Sequence, residues 1–128
     1  MIKTFEQFTY ELTDKEKEIL PLLINGFRFY NKNNPIKEPE IVKKFNERNG
    51  NLKLTGVRLR KLVNYIRVNS LLPLIATSKG YFVSYDKDVL DSQIKSLQQR
   101  ANSINACADG LKKLNLEMHT FLYSKNLK

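Results

Sequence analysis

From Leu90 to Leu122 the positions Leu90, Ile94, Leu97, Ala101, Ile104, Ala108, Leu111, Asn115, Met118 and Leu122 follow one another at alternating intervals of four and three, without a slip. This is the 3.5-residue period of a helical heptad repeat, and a strand, whose side chains alternate with period two, does not produce it. With Ile94 as position a, the a series is Ile94, Ala101, Ala108, Asn115 and Leu122, and the d series is Leu90, Leu97, Ile104, Leu111 and Met118. Such a seam runs about 50 Å at 1.5 Å per residue. The whole chain has 128 residues, 41% of them apolar, and a chain of that size forms one core of modest area. A second protomer is therefore the expected cover of the seam, with the alanines allowing close approach and Asn115 fixing register. A competing arrangement stays open at Asp109-Gly110, because glycine costs a helix about 1 kcal/mol and commonly ends one. Residues 111–124 would then fold back over the same stripe.

Upstream, Thr13 and Glu16 have the spacing of a capping box, and Ile19, Leu23, Phe27 and Tyr30 follow at helical intervals. Pro21 is expected to kink or divide this first helix, and the Asn-rich stretch Asn31 to Asn34 with Pro35 to end it. A second helix is predicted from about Glu38, where Pro39 suits the first turn, through Ile41, Val42 and Phe45 to Asn49-Gly50. A third starts after Leu54 with Thr55 as N-cap and continues to about Asn69, with Leu59, Leu62, Val63, Ile66 and Ser70 on one face. The period then changes. Leu74 to Thr77 and Tyr81 to Tyr85 read as strands of a hairpin whose tip is Ser78-Lys79-Gly80, with Gly80 supplying a positive φ. The predicted class is mainly α with a small β-hairpin, ordered as a winged helix-turn-helix and followed by a long C-terminal helix. The boundary falls at 86/87, giving a DNA-binding domain over residues 1–86 and a helical dimerisation or packing segment over 87–128.

Charge is unevenly placed. The formal net charge is +9, and residues 41–85 alone carry +8, with nine bases opposed only by Glu47. Such a concentration favours a polyanionic partner. On the third helix Arg58, Arg60, Lys61, Asn64, Tyr65 and Arg67 lie away from the apolar face, and these side chains suit phosphates, base edges and sugars. No acid lies between Lys53 and Tyr85 to neutralise them locally, so a salt-bridged surface is not expected. Arg58 and Asn64 are the candidates for guanine and adenine edges, and Lys61 and Arg67 for phosphates. Thr55 offers a hydroxyl beside the helix N-terminus, and Lys79 a charge at the hairpin tip.

The segments Thr9 to Glu16, Leu54 to Arg67, Leu74 to Tyr81 and Ile94 to Arg100 resemble small winged-helix proteins of bacteriophages and prophages. The most specific feature is the Ser78-Lys79-Gly80-Tyr81 turn placed after Asn64-Tyr65-Ile66-Arg67. The resemblance implies a DNA-binding winged helix, with the third helix in the major groove and the hairpin as wing. Ser70 stands where glycine often follows the recognition helix, and the tail beyond Ala108 extends past the matched part.

Other classes find little footing. The acids Glu16, Glu18, Glu38, Glu40, Asp86, Asp88 and Asp91 gather at predicted helix starts, where they offset the helix dipole. Cys107 and His119 are the sole cysteine and histidine, too few for a zinc site or an internal disulfide. No phosphate-binding glycine loop is present, and no apolar run approaches the roughly 20 residues of a membrane span. The expectation is a non-enzymatic, cofactor-free, cytoplasmic homodimer that binds duplex DNA in a sequence-dependent way as a transcriptional regulator. The alternative is a winged-helix interaction module that inhibits or recruits a host or phage DNA-processing protein, a role that the valines Val57 and Val68 on the third helix would suit.

Overall fold

The computed structural model describes residues 11–126. Residues 1–10, including Thr9 and Tyr10 of the resemblance and the start of the expected DNA-binding domain, lie outside the described residues. Helices α1 (Asp14–Phe27), α2 (Glu38–Arg48) and α3 (Gly56–Val68) precede strands β1 (Leu74–Thr77) and β2 (Gly80–Val83), and helix α4 (Lys87–Asn126) follows. The protein is thus mainly helical, with one two-stranded antiparallel hairpin. It divides into two units, one ending at Leu90 and the other beginning at Asp91.

Local chemistry accounts for the helix starts. Thr13 accepts from the Glu16 amide at 3.1 Å while the Glu16 carboxylate accepts from the Thr13 amide at 2.8 Å, completing the capping box. Pro21 is accommodated inside α1, which continues undivided to Phe27. Its stripe of Ile19, Leu23 and Phe27 is buried. Pro39 occupies the first turn of α2, where its missing N–H costs nothing. The loop from α2 to α3 is clipped by Asn46, whose carboxamide satisfies both backbone polar groups of Leu54 at 2.9 Å. That clip sets where α3 begins. Leu59, Leu62, Val63 and Ile66 of α3 then join Ile36, Ile41, Phe45, Leu54 and Leu72 in the core.

Ser70 does not extend the apolar face of α3. It is exposed and has φ 55°, closing the helix. Its amide donates to the Arg67 carbonyl at 3.2 Å and the Leu71 amide to the Ile66 carbonyl at 2.9 Å, the paired bonds of a Schellman motif.

The hairpin is tighter than the sequence suggests. Thr77 pairs with Gly80, so the loop is only Ser78-Lys79, and β2 ends at Val83 rather than Tyr85. Gly80 has φ 126°, and a Cβ there would fall 2.5 Å from the Ile36 carbonyl oxygen. The close approach arises because Ile36, between α1 and α2, forms a bridge with Tyr81 through hydrogen bonds of 2.9 and 2.8 Å. Val83 is tied on the same side by its amide to the Tyr30 carbonyl. The hairpin is thereby fastened to the α1–α2 connection.

Helix α4 runs unbroken through Asp109-Gly110, so residues 111–124 continue it and the fold-back arrangement is not adopted. Gly110 has open space around its Cα, and Asp109 is exposed.

Candidate nucleic-acid interface

Helix α3 presents Val57, Arg60, Asn64 and Val68 to solvent, with Lys61, Tyr65 and Arg67 half-buried on its flanks. Thr55 caps the helix, its hydroxyl oxygen accepting from the Arg58 amide at 3.2 Å. Lys79 is exposed in the hairpin loop, with its amide held by the Thr77 hydroxyl at 3.2 Å. The expected residues therefore lie on two elements, and Asn64 holds the middle of the exposed stripe of α3.

The bases of α3 are not left without acids, contrary to what the local sequence suggests. Glu16, from the first turn of α1, is 4% exposed. One of its oxygens accepts from Lys61 Nζ at 2.7 Å, and the other lies 3.6 Å from Arg58 Nε. Arg58 also donates through Nη1 to the Lys53 carbonyl at 2.8 Å. Glu38, at the start of α2, pairs with Arg60. Burial alone would raise the Glu16 pKa, but the Lys61 hydrogen bond, the Thr13 amide and hydroxyl, and the Lys61 charge outweigh it and hold the carboxyl below its ordinary value. One carboxylate thus caps α1 and anchors two cations of α3. A signal for it existed in the sequence: Glu16 precedes Ile19 and Leu23 on the buried stripe, and an acid placed there needs a cation. The identity of that cation, more than forty residues away, had no local trace.

One further feature escaped sequence reasoning, and a second lies on the predicted seam. A half-open cleft of about 560 Å³ lies between α1 and α2, walled by Leu22, Phe29, Tyr30 and Ile41 and edged by Lys44 and Arg48. Lys44 is already engaged there, 3.1 Å from Glu40 and 3.4 Å from the Tyr30 hydroxyl. On α4, a shallow groove of about 550 Å³ lies along Ala108, Leu111, Asn115 and Met118.

The seam residues of α4 from Ile94 to Leu122 are all exposed, whereas Leu90 is half-buried. Cys107 is a free, exposed thiol. Among the described residues there is no cluster of three or more His, Cys, Asp or Glu suited to a metal ion, and no helix is long and apolar enough to cross a membrane. No protein-family model matches the chain, and no curated protein or solved structure does either.

Proposed function

We propose that this protein binds duplex DNA in a sequence-dependent way as a homodimeric winged helix-turn-helix regulator of phage or prophage type, acting in the cytoplasm. Helix α3 enters the major groove and the β1–β2 hairpin acts as wing. The observation that carries this reading is the cation excess of residues 41–85, which survives internal pairing. The ion pairs of Glu16, Glu38 and Glu40 engage Lys44, Arg58, Arg60 and Lys61, while Lys43, Arg48, Lys53 and Lys79 stay exposed with Glu47 as the sole acid of the segment. The succession of three helices and a hairpin, with the hairpin fastened to the α1–α2 connection, supports the same reading.

The pairing redistributes the roles. Arg58 is turned toward Glu16 and Lys53, so Asn64, flanked by Arg60, becomes the better reader of base edges. Lys79 and Lys53, both exposed, take phosphates. The test is fluorescence anisotropy of the purified protein on random duplex at several salt concentrations, followed by selection of a cognate site. Support is a log–log salt slope of about −4.5 or steeper, equivalent to roughly five phosphates, with cognate binding at least about 10³-fold tighter. Absence of binding to random duplex at low salt removes the reading.

A second reading, a module that docks on a DNA-processing protein, draws on the two valines of the exposed stripe: Val57 and Val68 are 72% and 46% exposed. Unlike charge, exposed branched apolar side chains suit a protein surface. Recovery of one host or phage protein at stoichiometric yield, without duplex binding, favours it.

A further inference from the structure

We infer that α4 pairs with α4 of a second copy of this chain in antiparallel orientation, with the two-fold axis passing between the helices at the level of Ala106, between the Ile104 and Ala108 layers. The inference rests on the homodimer in the proposed function and adds direction and register to it. The whole stretch from Ile94 to Leu122 is a single helix with its apolar seam in water, Leu111 being 67% and Leu122 54% exposed. A helix stripe of this length is stabilised by burial against a partner.

Side-chain size fixes the direction. In a parallel pair each layer joins two copies of one residue, so Ala101 and Ala108 make narrow layers separated by wide layers of Leu97, Ile104 and Leu111. Two stiff helices cannot follow that alternation, and voids result at the alanines. In an antiparallel pair every a residue meets a d residue. In the register that covers the whole seam, Ala101 faces Leu111 of the partner and Ala108 faces Ile104 of the partner. Each alanine then receives a large residue, the groove beside Ala108 is filled, and the four central layers have similar width. A shift by one heptad leaves two turns of the seam bare.

The flanking positions agree. A parallel pair would bring Gln93 beside Gln98, Arg100 beside Asn105 and Cys107 beside Lys112, with no opposite charges to favour that direction. The antiparallel pair opposes the two helix dipoles. Asn115 carries the cost, since it then faces Leu97 of the partner instead of a second amide.

The native thiol provides the test. In the antiparallel register the two Cys107 side chains flank the axis on one side of the pair, whereas in a parallel pair they lie on opposite flanks. The full-length protein is examined by light scattering and treated with a short bismaleimide, beside Lys112→Cys in the same background. The expected result is a dimer mass and efficient wild-type cross-linking through Cys107, abolished in Cys107→Ser. A dimer that cross-links only in Lys112→Cys, between Cys107 of one protomer and the introduced thiol of the other, overturns the orientation but leaves the homodimer standing. A monomer at micromolar concentration, or a mass above that of a dimer, overturns both. DNA binding by such a monomer would leave the rest of the proposed function intact.

Discussion

Ser70 and Gly80 are the two positive-φ residues among those described, and they respond in opposite ways to substitution. Ser70 incurs steric strain of about 1 kcal/mol in its left-handed conformation, whereas glycine adopts it freely. Ser70→Gly should therefore stabilise the protein by about 0.5 kcal/mol after the greater entropy of glycine in the unfolded chain is subtracted. Thermal unfolding would register the gain as a small upward shift of Tm. Gly80→Ala should do the reverse, because it combines an unfavourable φ with a Cβ set against the Ile36 carbonyl. We expect a loss of about 2 kcal/mol or more, measured by urea denaturation, and release of the Ile36–Tyr81 bridge, measured by amide exchange at Tyr81. A wild-type midpoint in that variant would contradict the close approach.

Among the elements, α1 and α3 are linked by an ionic tie whose pH dependence follows from the Glu16 carboxyl. Its folded pKa lies below the ordinary value of 4.5, so the unfolded chain binds the proton more readily. The contribution is complete above about pH 4.5 and is lost as pH falls through the folded value. Glu16→Gln should flatten this acid limb of the stability curve, as read by denaturation between about pH 3 and 6, and lower stability at neutral pH. In α4, Gly110 sits on open surface, and Gly110→Ala should raise helix stability by about 1 kcal/mol, visible as higher helical ellipticity on heating. The elements themselves were largely legible in the sequence. Thr13, Pro39 and Thr55 announce helix starts by local chemistry, and the α4 heptads announce the seam, while its continuity through Asp109-Gly110 is seen only in the structure. The hairpin was legible in kind but displaced: Gly80 pairs with Thr77 and so belongs to β2, and its neighbour Tyr81 is bridged to Ile36, a single residue with no periodicity to reveal it. The ion pairs of Glu16 and Glu38 were hidden for a related reason, since charge balance counted along the chain overlooks acids brought in by other helices.

For the molecule as a whole, the proposed interface separates two kinds of contact that mutation can distinguish. Asn64→Ala should relax base preference at one position per half-site, costing about 1–3 kcal/mol on the cognate sequence and little on random duplex. Lys79→Ala should weaken both to a similar extent and reduce the salt slope by about one. Identical footprints for wild type and Asn64→Ala would remove Asn64 from base readout. The buried carboxylate of Glu16 gives these measurements a further edge. A phosphate drawn to Lys61 and Arg58 would compete with the Glu16 carboxylate they already face, so in the proposed complex DNA and the protein's own first helix would be rivals for the same two cations. Recruiting those cations would carry an internal toll, set by how firmly the domain holds itself together.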